Sequence, residues 1–128
     1  GIGNDDSILD VGCGVAHLHT YLTNQGWKGK YLGFDPNKKA IDLIDENINA
    51  VHGTIEDLDD TKYDWAIANG VFNLGLKEEH TFWIIENMIS HANKGIIFNM
   101  FILNKILAVK KDILTRIYNW SIFYFISV

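Results

Sequence analysis

Hydrophobic residues fall into two rhythms along the chain. Ser7-Ile8-Leu9-Asp10-Val11 is a short apolar run that ends in glycines, and Lys30-Tyr31-Leu32-Gly33-Phe34 is another that ends at Asp35-Pro36, so both read as strands. Between them, residues 16–25 carry Leu18, Tyr21 and Leu22 at helical spacing and stop at Gly26, which enters the left-handed region cheaply. Pro36 suits a first helical turn, and Ile41, Ile44 and Ile48 form an apolar stripe behind it that leads to a third strand, Ala50-Val51-His52. After an acidic loop over residues 56–60, Trp65-Ala66-Ile67-Ala68 predicts a fourth strand, residues 77–92 a helix and Ile96-Ile97-Phe98 a fifth strand, with Gly95 as the turn between these last two.

Strands that alternate with helices imply a mainly parallel sheet covered on both faces, a doubly wound α/β fold. Ligands of such folds sit at the carboxyl ends of the strands. The charge balance narrows the ligand. Eleven Lys and Arg against sixteen Asp and Glu give a net charge of −5, the wrong sign for holding phosphates, so a nucleic-acid partner is disfavoured. Cys13 is the one cysteine, which removes an internal disulfide and the usual thiolates of a structural zinc site; the expectation is a cytoplasmic protein without a metal. With 128 residues, 48% of them hydrophobic, the expectation is a single domain over residues 1–128. Because it opens without Met or a signal-like segment, it is expected to be incomplete at both ends.

Asp10-Val11-Gly12-Cys13-Gly14 follows the first strand and opens the first helix, where small residues let a ligand approach the backbone. A P-loop fails because no Gly-Lys-Ser/Thr follows. A dinucleotide site wants glycine three residues after Gly14, where His17 stands. Asp10, two residues before the first glycine, repels a pyrophosphate and suits a ligand carrying an ammonium and a sulfonium.

Over residues 7–101 the sequence resembles the class I S-adenosylmethionine-dependent methyltransferases. Ile8-Leu9-Asp10-Val11-Gly12-Cys13-Gly14 is similar to the family's first motif, with Ala16 where many members have a third glycine. The resemblance implies that Asp10, Gly12 and Gly14, with Cys13 between them, hold the methionine part of the cofactor S-adenosylmethionine, directly or through water. It implies that Asp35, followed by Pro36, accepts hydrogen bonds from both ribose hydroxyls, a geometry suited to a carboxylate; capping of the next helix is the plainer role. His52-Gly53-Thr54-Ile55-Glu56-Asp57-Leu58 resembles the adenine-binding segment, with Thr54 in place of the usual acid. Thr54, the backbone of Ile55 and Glu56 are the candidates there, against a solvated acidic turn.

Residues 63–74 resemble the family's fourth strand and the loop beyond it, which places residues 69–73 beside the transferable methyl, with Asn69 a candidate cofactor-binding residue and Gly70, Phe72 and Asn73 candidate acceptor-binding residues. Asparagines in a turn also bond their own backbone, so that reading of Asn69 and Asn73 stays open. The Asn-Pro-Pro-Tyr type of segment is absent, since Gly70-Val71-Phe72 follows Asn69; this disfavours adenine-N6 and glutamine methylation and leaves a small molecule as the expected acceptor. In-line methyl transfer needs alignment more than a strong base, so no catalytic residue is assigned. His17, His80 and His91 read as structural histidines, and Trp27 and Trp83 as packing residues.

Two other functions compete with a methyltransferase: a nicotinamide-dependent oxidoreductase on the same sheet, and a non-catalytic remnant that keeps the fold. After the fifth strand, Ile106, Leu107, Ile113, Leu114 and Ile117 predict a helix over about residues 105–118, and the uncharged run from Trp120 to Val128 a strand. Ordinary element lengths leave too few residues for both strands that close the family's sheet, so a fold truncated after the fifth strand and its helix is expected. The uncharged run is shorter than a membrane span, and it either pairs beside the fifth strand or forms an exposed edge prone to self-association.

Overall fold

Successive side chains of a strand point to opposite faces. In the first strand, β1 (Ile8–Val11), all four are buried, as a strand covered on both sides requires. The computed structural model describes residues 1–73, 75–100, 117–120 and 123–128. After β1 come α1 (His17–Asn24), β2 (Tyr31–Asp35), α2 (Lys38–Ile41), β3 (Ala50–His52), β4 (Tyr63–Ala68), α3 (Glu78–His91), β5 (Ala92–Asn99), β6 (Ile117–Trp120) and β7 (Phe123–Ser127). Short 3-10 turns, Ile55–Asp57 and Val71–Asn73, follow β3 and β4.

The sheet order is β3-β2-β1-β4-β5-β7-β6. The first five strands are parallel, and β7 runs antiparallel to both β5 and β6. This is the doubly wound sheet expected from the alternation of periods. On one face Leu9, Phe34, Ala66, Ile96 and Phe98 pack with Ile84, Ile85 and Met88 of α3. On the other, Ile8, Tyr31, Trp65 and Ile67 pack with Ala16 and Trp27, backed by Leu18 and Leu22 of α1.

Three local expectations are corrected. The helix after Pro36 is one turn long, because the Asp45 carboxylate accepts both the backbone N–H (2.9 Å) and the Nδ2 group (2.7 Å) of Asn47, a local turn that competes with helix. Ile44 and Ile48 nevertheless keep their place against the second core. Gly95 is not a turn. The backbone is already extended at Ala92, so α3 passes straight into β5, where Gly95 pairs with Trp65.

The third correction concerns the carboxyl-terminal stretch. The truncated sheet that was expected counted on long connections, yet only residues 121 and 122 separate β6 from β7. A hairpin needs far less chain than a crossover. Of the two outcomes foreseen for the run from Trp120, pairing beside the fifth strand is the one observed, with Gly95 opposite Ser127 and Asn99 opposite Phe123. Residues 105–116 of the expected helix lie outside the described residues, and its last two, Ile117 and Tyr118, belong to β6. Among the described residues no helix is long and apolar enough to cross a membrane.

Candidate functional site

In the strand order, the chain reverses its direction of travel at β1, whose neighbours are β2 and β4. A crevice opens at such a point, between the loops that leave the two central strands. Here those loops are the glycine turn after β1 and residues 69–73 after β4. They touch: a Cβ on Gly12 would lie 2.6 Å from Cγ2 of Val71. Gly12 and Gly14 have φ of 69° and 55°, and Ala16 joins them at 60°. Glycine takes this left-handed backbone without penalty, whereas Ala16 takes it at a cost.

The turn is tied to the end of β2. The N–H groups of Gly12 and Cys13 both donate to the Phe34 carbonyl, at 2.9 and 3.0 Å. The Gly14 N–H donates to Oδ2 of Asp35 at 2.9 Å, while Oδ1 of Asp35 accepts from the Asn37 N–H at 2.8 Å. Asp35 therefore holds two local backbone N–H groups, one of them in the glycine turn, and does not take the plainer role of capping the next helix. Each of its oxygens still has a second lone pair, since a carboxylate oxygen accepts two hydrogen bonds. Asn37, not Asp35, caps α2, accepting from the Lys39 N–H. At the neighbouring strand end, Nε2 of His52 lies 3.1 Å from the Pro36 carbonyl, which fixes the β3 end to the β2 end.

Beyond this frame lies a cavity of about 210 Å³. Gly12, Pro36, Thr54, Ile55 and Glu56 line it, so five of the expected site residues meet there. Its far wall includes Val71, Leu76, His80, Trp83 and Ile84. Residues 80, 83 and 84 share one face of α3, and His80 stacks on Trp83 with ring centroids 5.6 Å apart and planes 13° from parallel. Trp83 is thus a packing residue that also walls the cavity, and His80 is an exposed member of that wall. The signal for them was available: an apolar stripe on the helix after the fourth strand faces the crevice wherever that helix covers the sheet.

Asp10 lies elsewhere. It shares a face of β1 with Ile8, under α1, and is 3% exposed. Its Oδ2 accepts the Tyr31 hydroxyl at 2.6 Å. Burial pushes its carboxyl up from 3.8 to about 6; the Tyr31 hydrogen bond opposes this and the Asp35 charge adds to it. The carboxylate forms a floor beneath the turn and is not among the residues that line the cavity. Burial, then the Asp10 and Asp35 charges, push the Cys13 thiol up to about 12, so it is a packing group. It lies with the Tyr31 hydroxyl against Gly33, where an added Cβ would meet Sγ and that hydroxyl at 2.9 Å.

Across the crevice, Asn99 at the end of β5 organises the loop after β4. Its Oδ1 accepts the Gly70 N–H at 2.6 Å and its Nδ2 donates to Oδ1 of Asn69 at 2.9 Å. Asn69 is exposed. Phe72 is buried and meets Phe98 edge to face at 5.4 Å, so it anchors the loop in the core. Asn73 is exposed, and its N–H donates to the Gly70 carbonyl at 3.3 Å. Asn99 went unnoticed in the sequence, because only the pairing of β4 with β5 puts it beside Asn69 and Gly70. His91 is structural as expected: its ring nitrogens meet the carbonyls of Asn87 and Asp59 at 2.8 and 3.1 Å.

Residues 2–111 match the family model described as a methyltransferase domain. A protein of Mycobacterium tuberculosis that carries a methyltransferase name, Rv1506c, is 28% identical over 103 residues, which are 73% of this chain and 61% of that protein. Among solved structures, PKMT2 from Rickettsia typhi in complex with AdoHcy superposes with a TM-score of 0.64 at 23% identity, covering 77% of this chain and 22% of its own. A TehB-like SAM-dependent methyltransferase from Corynebacterium glutamicum gives 0.71 at 16% identity, covering 98% and 80%. This chain spans less than two thirds of the first two of these relatives. It belongs to the methyltransferase domain family, built on the Rossmann-like fold of the class I S-adenosylmethionine-dependent enzymes.

Proposed function

We propose that this domain binds S-adenosylmethionine at the carboxyl ends of β1, β2 and β4 and transfers its methyl group to a small molecule. One observation carries the reading. The turn after β1 spends the N–H groups of Gly12, Cys13 and Gly14 on the end of β2, which leaves those donors unavailable to a pyrophosphate, and two carboxylates, Asp10 and Asp35, adjoin it. Such a turn suits a ligand that brings positive charge and hydroxyl donors. The same observation disfavours the nicotinamide-dependent alternative, whose dinucleotide needs backbone N–H groups pointing at its phosphates.

The residues present fit the cofactor. Among the described residues, and apart from its own chain neighbours, no heavy atom lies within 4 Å of where a Cβ of Gly14 would stand, so the backbone there is open to a ligand. In this reading the free lone pairs of Asp35 take the ribose hydroxyls. The cavity edged by Pro36, Thr54, Ile55 and Glu56 and walled by Val71 and Trp83 takes the flat adenine ring. Asp10 acts from below, holding the turn through Tyr31. When bound, the cofactor supplies a methyl carbon on a sulfonium, which an acceptor's lone pair attacks in line with the departing sulfur.

Calorimetry with S-adenosylhomocysteine tests this. Saturable binding is expected, weakened roughly tenfold or more in Asp35→Ala, since a charged hydrogen-bond partner contributes on the order of 1.5–3 kcal/mol. Absence of saturable heat at millimolar ligand, or an NADH titration that saturates instead, overturns the reading. Labelled methyl reaching no acceptor in a cell extract, with binding intact, would favour the non-catalytic remnant.

A further inference from the structure

The amide groups of Asn69 and Asn99 have their orientations dictated by a single backbone N–H. That of Gly70 can only donate, so the atom of Asn99 lying 2.6 Å from it is the oxygen, Oδ1. The other end of the Asn99 amide is then its NH2 group. An NH2 group can only donate as well, so the Asn69 atom 2.9 Å away is Oδ1. By elimination, the Nδ2 group of Asn69 points away from Asn99. Among the described residues it takes no partner, and Asn69 is exposed. Two asparagines and one peptide N–H thus make a relay that presents a donor at the carboxyl end of β4. The next residues carry Val71, which closes on Gly12 of the cofactor turn.

From this relay we infer that the methyl acceptor is held by an oxygen that accepts a hydrogen bond from Nδ2 of Asn69, as a carbonyl or carboxylate oxygen does, and that Asn99 is the positioning residue that sets this polarity. The inference rests on the methyltransferase reading and names the acceptor class within it. An ammonium or another group with only donors to offer meets a donor at Asn69 and gains nothing there. The acidic surroundings, with Glu56 lining the same cavity as Val71 and Asp35 bonded to the glycine turn, favour a neutral carbonyl oxygen over a carboxylate. The relay holds the acceptor and takes no part in the bond exchange at the methyl carbon.

The relay makes an unusual demand of one substitution. In Asn99→Asp a carboxylate oxygen still accepts the Gly70 N–H, but the second oxygen has no proton to donate. Asn69 then has to turn its amide over, giving Nδ2 to the new carboxylate and presenting Oδ1 outward. The donor at the site becomes an acceptor with hardly any change of shape.

The test follows the Asn69 side-chain amide signal of ¹⁵N-labelled protein, saturated with S-adenosylhomocysteine, during titration with acetophenone, benzoate and benzylammonium. Saturable movement with acetophenone or benzoate and none with benzylammonium is expected for the unmodified chain. Whichever of the two oxygen ligands binds more tightly separates a neutral from an anionic acceptor. In Asn99→Asp the preference should reverse to benzylammonium, and in Asn69→Ala the oxygen ligands should bind about tenfold more weakly, judged from backbone signals, as expected for one hydrogen bond. Benzylammonium binding the unmodified chain as tightly as the oxygen ligands overturns the inference. So does an Asn99→Asp protein, folded by its signal dispersion, whose preference is unchanged; if that variant does not fold, Asn69→Ala decides by the same tenfold criterion. Titration of the unmodified chain with S-adenosylhomocysteine alone reports on the cofactor reading, so the two ideas fail separately.

Discussion

Asp6 and Asp10 stand four positions apart, on either side of the start of β1, and their environments have opposite effects. At the amino end of the sheet, the Asp6 carboxylate accepts from Nζ of Lys94, the Gly3 N–H and Nε1 of Trp65, and these hold it down to about 2. Its carbonyl accepts Nε1 of Trp27 at 2.8 Å. Beside it, Oδ2 of Asp64 accepts both the N–H and the hydroxyl of Ser7, whose Oγ accepts the Asp64 N–H in return. Towards the other end of β1, Asp10 has one hydrogen-bond donor among the described residues, Tyr31, and burial carries it up to about 6. The first acid is clamped by donors that balance its charge. The second is kept where its charge is costly, beneath a turn of three left-handed residues. One end of the sheet spends its polar groups on holding the chain together; the other keeps strain and spare acceptors in reserve.

The largest break in this contrast should come from Asp6→Ala. It removes an acceptor of the Trp65 indole N–H and, among the described residues, leaves Lys94 the longer 3.4 Å contact to Asp64. Loss of the charge-assisted hydrogen bonds to this carboxylate costs about 3 kcal/mol. Denaturant unfolding should show that loss while the folded variant binds S-adenosylhomocysteine as the parent does. A variant that keeps its stability but loses binding would abolish the distinction between the two ends.

Acid titration sharpens the comparison next. For Asp10 the native carboxyl takes up its proton near pH 6, before the unfolded one does near 4. Between those values the native state binds more protons, so this group makes the protein more stable as the pH falls and less stable as it rises. Two units at about 1.4 kcal/mol each give a contribution on the order of 2–3 kcal/mol. Asp6 has the opposite sign: its stabilisation is present above about pH 4 and disappears as the pH falls towards 2. Stability measured from pH 4 to 7 should therefore lose a falling component in Asp10→Asn, which still accepts from Tyr31. An identical slope in parent and variant would mean that Asp10 is not buried as a costly charge.

The same contrast explains what could be read from the sequence. The parallel core, the glycine turn and the cluster of Pro36, Thr54, Ile55 and Glu56 were legible, because periodicity and short motifs encode local backbone and the order of elements. The length of α2 was not, since Asp45 and Asn47 compete for the backbone with an otherwise good apolar stripe. Nor was the direction of Asp10: as the residue two places after Ile8 it shares that side chain's face, but whether that face is core or crevice depends on α1 and Tyr31. Asn99 was invisible for a similar reason. Thirty positions separate it from Asn69, and the register of β4 on β5 alone brings them together.

A smaller effect is expected at Gly12. An alanine there takes a left-handed backbone at about 1–2 kcal/mol, and its Cβ would meet Cγ2 of Val71 at 2.6 Å. Val71 is partly exposed and belongs to the cavity wall, so it moves outward at the expense of the ligand. The expected result is a loss of about 1–2 kcal/mol in stability with a fall of roughly tenfold in S-adenosylhomocysteine affinity, the equivalent of 1.4 kcal/mol. Unchanged affinity would place the ligand away from this contact.

The smallest effect should be at Ala16, where two terms of similar size oppose each other. Its φ of 60° is a left-handed value, and replacement by glycine relieves about 1 kcal/mol of backbone strain. Ala16 is also fully buried, within the cluster of Ile8, Trp27 and Tyr31, so its methyl is worth about 0.8 kcal/mol that glycine forfeits. Glycine's freer unfolded chain costs about another 0.5 kcal/mol. The balance lies within about 0.5 kcal/mol of zero, on the unfavourable side. Ala16→Gly should therefore unfold at nearly the parent's denaturant midpoint. Stabilisation by more than 1 kcal/mol would show the strain to be larger than the methyl's packing, and would make this residue part of the reserve held at the carboxyl end. Destabilisation by 2 kcal/mol or more would assign Ala16 instead to the core that α1 covers, with the alanine retained for its packing despite the backbone it has to adopt.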